Sequence, residues 1–182
     1  LASGRAVMPR LVKSIDGVEM PIAPAADLAV SPANLALVRK AMHAVSNTRR
    51  GTGWNSRTLG AGLTLAGKTG TSQVRNITAA ERAAGVFRNE DLPWERRDHA
   101  LFVAFAPHDA PRIAISVVVE HGGGGSAAAA PVARDIALAA LSGGLPPLAA
   151  YPEHQRREAA ERLRALPVRP PEGRAPGGSS RA

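Results

Sequence analysis

An α+β fold, an antiparallel sheet with flanking helices, is what this 182-residue chain predicts, and three stretches carry the prediction. "LFVAFAP" (101–107) and "RIAISVVVE" (112–120) are apolar strand-like runs separated by the turn residues "HDAP", the pattern of an antiparallel hairpin. "SPANLALVRKAMHAV" places apolar residues at helical spacing behind a Ser-Pro start. "HGGGGSAAAAPVARDIALAAL" reads as a glycine loop running into a second helix.

Taken in order, "RAVMPRLVKSID" (5–16) alternates around Pro9 and predicts a short strand or extended segment closing at Asp16-Gly17. Ser31 caps a helix over about 32–46, with Pro32 in its first turn and Leu35, Val38, Met42 and Val45 as the buried stripe. Residues 47–62 are loop-like and deliver the chain into "LTLAGKTGTSQV", whose Thr, Leu and Val content favours a strand interrupted by glycines. Thr78 and Glu81 form a capping-box pattern for a short helix over 78–84. The two hairpin strands are apolar throughout, which predicts cover on both faces. The following helix is expected to begin near Ser126, or at Pro131, and to bury Val132, Ile136 and Ala140. Beyond 145 the composition turns to Pro, Gly and Arg. Residues 146–182 are expected to be a largely disordered tail with one charged helix at 152–165, supported by Glu153–Arg157 and Glu158–Arg162 pairs.

Composition narrows the function classes. Apolar residues make up 45% and aromatics 3%, so the core is built from aliphatic side chains and alanine. The charge is +8, but the basic residues are scattered among acids without interleaved aromatics, which favours a solvated surface over a nucleic-acid site. With no cysteine there is no disulfide and no thiolate metal site. No run approaches a membrane span, and no leader pattern opens the chain.

Residues 60–74, "GAGLTLAGKTGTSQV", satisfy two signatures. Gly62 to Thr69 matches the phosphate-loop pattern GxxxxGK[ST], which requires a buried strand before it and a helix after it. Upstream lies "WNSRTLGA", and Gly70, Thr71, Ser72 and Val74 resist a helix. Lys68-Thr69-Gly70 also matches the K-T-G motif of serine acyltransferases that react with penicillin. On a strand, Lys68 and Gly70 face one way, Thr69 and Thr71 the other. A cationic Lys68 suits a developing anion, the threonine hydroxyls suit a carboxylate, and Gly70 lets a peptide backbone approach. Glu120, His121 and Ser126 hold the residue types of a hydrolase triad without a nucleophile elbow. His43, His99 and His108 are too dispersed to suggest a metal site. Trp54 and Trp94 are read as pins for polar loops.

The order of these segments resembles the last third of a class B penicillin-binding protein, closest to the elongation-specific peptidoglycan D,D-transpeptidases of that family. "NEDLPWERRDHALFVAFAP" and "VVVEHGGGGSAAAAPVARD" carry the resemblance most specifically, over roughly residues 1–142. It implies the transpeptidase fold, related to serine β-lactamases, with residues 1–145 as its C-terminal part. It also implies Lys68 and Thr71 as catalytic residues, Thr71 through its backbone N–H, and Thr69, Gly70, Thr71 and Ser72 as substrate-binding residues. Stem peptides and β-lactams would be the ligands. A glycosyltransferase of the SEDS family would be the partner of the complete protein, at the periplasmic face of the inner membrane. No cofactor, metal or nucleic acid is implied.

The family's S-x-x-K and S-x-N motifs do not occur here: Arg10, Leu37 and Leu65 stand three residues before the three lysines. The nucleophile and the membrane anchor are therefore expected upstream of Leu1, and the chain alone is expected to be inactive. A phosphate-loop hydrolase and a basic interaction module remain the alternative readings.

Overall fold

The computed structural model describes residues 1–85 and 88–166. Four two-residue strands open it: β1 (Arg5–Ala6) pairs with β4 (Ala26–Asp27), and β2 (Ser14–Ile15) with β3 (Val18–Glu19). The second pair turns at Asp16 and Gly17, both at positive φ, 49° and 82°. That is the backbone a two-residue hairpin demands, and it is why Asp-Gly stands there.

Helix α1 (Pro32–Asn47) starts as its sequence dictates, with the Ser31 hydroxyl accepting the Asn34 N–H. Its expected stripe is only half-buried: Val38 remains 40% exposed, and Ser46 is its one fully buried residue. Strands β5 (Ala66–Ser72), β6 (His99–Ala106) and β7 (Ile113–Val119) form an antiparallel sheet in that order, with β5 at one edge. Between β5 and β6, α2 (Ala79–Ala84) carries the full capping box of Thr78 and Glu81. Helix α3 (Ala129–Ser142) lies across β6 and β7.

The core sits between α3 and the sheet, where Leu65, Ala100, Phe102, Ala104, Ala106 and Val117 meet Ala129, Ala130, Ala133 and Ala137. Two expectations are corrected here. Helix α3 starts at Ala129 and accommodates Pro131 in its first turn; its buried face is this alanine row with Arg134 and Leu138, while Val132, Ile136 and Ala140 are exposed. Small side chains let a helix lie close against a pleated surface, so the alanines go in and the β-branched Val132 and Ile136 out. Likewise the two faces of the hairpin are covered unequally: facing α3, the β6 residues and Val117 are buried and Ile113, Ile115 and Val119 partly so. On the other face the Arg39 guanidinium of α1 lies 5.9 Å from the Phe105 ring centre, while Val103 and Val118 are about half exposed.

The segment after 145 is not free of the body within its described part. Ala150, Tyr151, Ala159 and Leu163 bury themselves with Leu138 of α3. The charged helix forms as α4 (Arg156–Ala165), shorter than expected because Pro152 and a 3-10 turn precede it. Glu158 pairs with Arg162 as expected, whereas Arg157 reaches Glu161 instead of Glu153. Among the described residues, packing onto α3 therefore continues past 145. The expectation for residues 167–182 lies outside the described residues.

Candidate functional site

The K-T-G segment is strand, not loop. Lys68 pairs opposite Val103, Thr69 opposite Phe102, Gly70 opposite Leu101, Thr71 opposite Ala100 and Ser72 opposite His99. Thr69 continues in strand to Ser72 and pairs antiparallel with β6, which is not the strand–loop–helix arrangement that a phosphate loop uses. Lys68, Gly70 and Ser72 share one face of the strand, Thr69 and Thr71 the other, as the alternation requires.

The strand's start and the Thr69 side chain are set by neighbours distant in sequence. Asn47, at the end of α1, donates from Nδ2 to the carbonyls of His43 (2.9 Å) and Leu65 (2.8 Å), fixing where β5 starts relative to the helix. The Thr69 hydroxyl meets the Thr52 hydroxyl at 2.9 Å. Lys68 is exposed, with Nζ donating to the Thr69 carbonyl at 2.7 Å. Beside it, Val38, Ala41, Met42 and Val45 of α1 and Val103 of β6 line an open apolar groove. Thr71 and Ser72 are exposed at the end of the edge strand. A cation, hydroxyls and open backbone on an edge strand suit an extended peptide ending in a carboxylate.

The segment between β5 and β6 carries its own network. Arg75 binds Glu81 at 2.7 Å, and the Thr78 N–H and hydroxyl also donate to Glu81. The Thr78 backbone N–H first, then its hydroxyl, hold the Glu81 carboxyl below its ordinary value, with Arg75 reinforcing. His99 Nδ1 accepts the His121 N–H at 2.9 Å, and His121 Nδ1 donates to the Arg97 carbonyl at 2.9 Å. These bonds leave His121 no triad geometry: its ring is held by Arg97 and packs against Trp94, with centroids 4.2 Å apart. Trp54 carries the Arg57 guanidinium 3.8 Å above its ring. Both tryptophans thus pack against one neighbouring side chain, Trp94 while 55% exposed.

Sequence reading missed Asn47, Thr52 and the His99–His121 pair. Asn47 and Thr52 gain their partners 18 and 17 residues along the chain, and no local pattern announces such contacts.

Comparison with known proteins places this geometry. The family model "Penicillin binding protein transpeptidase domain" matches residues 1–138. Peptidoglycan D,D-transpeptidase MrdA of Haemophilus influenzae is 32% identical over 165 residues, 86% of this chain and 24% of that protein. The MrdA of Acinetobacter baumannii is 47% identical over 58 residues, 32% of this chain and 8% of that protein. Among solved structures, Pseudomonas aeruginosa PBP2 in complex with WCK 5153 superposes with a TM-score of 0.55 at 34% identity, over 79% of this chain and 28% of that one. PBP2 of Helicobacter pylori, in its complex with MreC, gives 0.53 at 31%, over 73% and 21%. The chain spans a quarter or less of the length of the curated relatives it matches. The antiparallel sheet with its flanking helices is thus a fragment of the transpeptidase fold, and the chain belongs to the penicillin-binding protein transpeptidase domain family.

Proposed function

We propose that the chain is the C-terminal part of an elongation-type peptidoglycan D,D-transpeptidase that cross-links stem peptides by serine acyl transfer and is acylated by β-lactams. The observation that carries this reading is the edge strand β5, which presents Lys68, Thr69, Gly70 and Thr71 in alternation within a family match spanning residues 1–138. The apolar groove beside Lys68 supports it, because Val38 and Val103 are left half-exposed where the remainder of a longer protein would be seated.

In the complete protein a serine Oγ from the upstream segment attacks the penultimate D-alanine carbonyl, and its proton passes to a neighbouring base. Collapse of the tetrahedral intermediate breaks the C–N bond, and D-alanine leaves as the protonated amine. An amine from a neighbouring stem peptide then attacks the acyl ester and regenerates the serine. Lys68 lowers the cost of the negative charge that develops as the serine attacks and attracts the substrate's terminal carboxylate, which the hydroxyls of Thr69 and Thr71 hold. The Thr71 N–H is one oxyanion donor, while Gly70 and Ser72 give the substrate backbone room along the strand. The complete protein works at the periplasmic face of the inner membrane with a SEDS-family glycosyltransferase. Among the described residues no helix is long and apolar enough to cross a membrane.

The test is the rate at which the complete protein is acylated by a fluorescent penicillin. Lys68→Ala should slow it by roughly 10²- to 10³-fold, the loss typical of one preorganised electrostatic donor. An unchanged rate would make β5 a bystander strand.

A further inference from the structure

Four glycines in succession, Gly122 to Gly125, join β7 to α3 and look interchangeable in sequence. Their surroundings are not. Gly123 is required by its backbone, at φ 77°. Gly124 is exposed, and a Cβ there would meet nothing within 4 Å. At Gly122 a Cβ would fall 2.7 Å from the Val119 side chain, at the end of β7 and away from β5. Gly125 is buried, and a Cβ there would fall closer than 3.0 Å to the carbonyl oxygens of both Gly70 and Leu101.

We propose that Gly125 is a positioning residue for the catalytic strand, setting the orientation of the peptide unit between Gly70 and Thr71. The proposal rests on the transpeptidase reading above, in which the Thr71 N–H is an oxyanion donor. The Gly70 carbonyl and the Thr71 N–H belong to one planar, trans peptide, so whatever presses on the oxygen re-aims the hydrogen. Gly125 lies against that oxygen from the α3 side and is itself fixed. Its carbonyl accepts the N–H groups of Ala129 (3.2 Å) and Ala130 (2.9 Å), while the Gly124 carbonyl accepts those of Ala127 and Ala128. The fully buried Ala129, Ala130, Ala133 and Ala137 seat α3 against the sheet. The helix, the loop and the Gly70–Thr71 peptide are thus stacked backbone on backbone, with no side chain between them to absorb a displacement. An oxyanion donor acts only when aimed at the position the oxyanion will occupy, so a small tilt is enough to slow the chemical step.

The experiment compares three alanine variants of the complete protein, reading the non-covalent affinity for a fluorescent penicillin, the rate of the acylation step and the melting temperature. Gly124→Ala should leave all three unchanged. Gly122→Ala should lower the melting temperature and leave acylation within about 3-fold. Gly125→Ala should slow the acylation step by about 10- to 100-fold while affinity changes by less than about 3-fold, because the lost interaction belongs to the transition state. If Gly125→Ala does not fold, one extra glycine between Gly124 and Gly125 replaces it. That insertion adds no side chain but lets the loop slide off Gly70, and it should slow acylation similarly. A normal acylation rate in the variant that folds would overturn the proposal, as would a loss that Gly122→Ala reproduces at equal loss of melting temperature. An unmodified protein that is acylated normally isolates such a failure to Gly125. An unmodified protein that is never acylated removes the transpeptidase reading, and this proposal with it.

Discussion

Lys68 and Thr69 are neighbours in sequence that serve opposite faces of one strand, and the division of labour in β5 follows from that. Lys68 opens toward the groove beside α1, while Thr69 meets Thr52. In the proposed mechanism Thr71 contributes in two ways that mutation separates, since its hydroxyl can be removed and its N–H cannot. In the complete protein Thr71→Val should slow acylation by less than tenfold, well short of the effect at Lys68, because one hydrogen bond is lost while the oxyanion donor stays. Acylation rates of the two variants measured side by side check this ordering, and equal losses would mean that the hydroxyl itself does the chemistry. The alternation of this strand was legible from its residue types. Its supports were not: Asn47 reads as any helix-terminal residue, and nothing near it in sequence announces that its amide reaches the Leu65 carbonyl.

Helix starts were legible wherever a cap states them, as at Ser31 and at Thr78 with Glu81, because a cap is a local bond. Which face a helix buries was not, and α3 shows why. Val132 and Ile136 are its most apolar side chains, yet contact with the sheet selects the alanines, and the branched residues line an open groove with Leu145 and Leu166. The same helix carries Arg134, 3% exposed, bonded through Nε to Asp135 at 3.0 Å and stacked 4.6 Å from the Tyr151 ring. Asp135 also accepts from the Tyr151 hydroxyl (2.9 Å) and Arg162 (2.7 Å). Burial first, and Asp135 second, push the Tyr151 phenol up to about 12. Asp135→Ala should therefore destabilise the fold by about 3 kcal/mol, because it leaves a buried guanidinium without its carboxylate. Denaturant unfolding measures this, and a change below about 1 kcal/mol would show that the bond from Arg134 to the Gln155 side-chain oxygen (2.6 Å) suffices.

Glu81 gives a pH-dependent counterpart at α2. Its folded pKa is lowered, so its contribution is complete above the ordinary carboxyl value of 4.5 and is lost as the pH falls through the lowered one. The cap should open in that acid window and stay closed at pH 6. NMR titration of the Glu81 carboxyl and Thr78 amide tests it; a midpoint at or above 4.5 would mean that the cap does not form in solution.

At the scale of the molecule, the α+β class and the antiparallel order of β5, β6 and β7 were legible, because the hairpin turn and the two-residue period are local signals. Two things were not. The expected cover on the second face of β6 and β7 is incomplete among the described residues, since an apolar strand does not say where its partner comes from. The packing of Tyr151 and Leu163 onto Leu138 was hidden in a segment whose Pro and Arg content suggested a tail. Both follow from contacts that composition cannot register. The half-open face beside Lys68 also ties the account to its most exposed claim, that these residues supply one wall of an active site whose nucleophile lies elsewhere.

Fluorescent-penicillin labelling followed by mass spectrometry of the modified peptide tests that claim most directly, applied in parallel to the 182-residue chain and to the complete protein. The expected result is a covalent adduct on a serine upstream of this segment in the complete protein and none on the isolated chain, which holds no serine three residues before a lysine. A stable adduct on any serine of the isolated chain, or a folded complete protein that is never labelled, would contradict it.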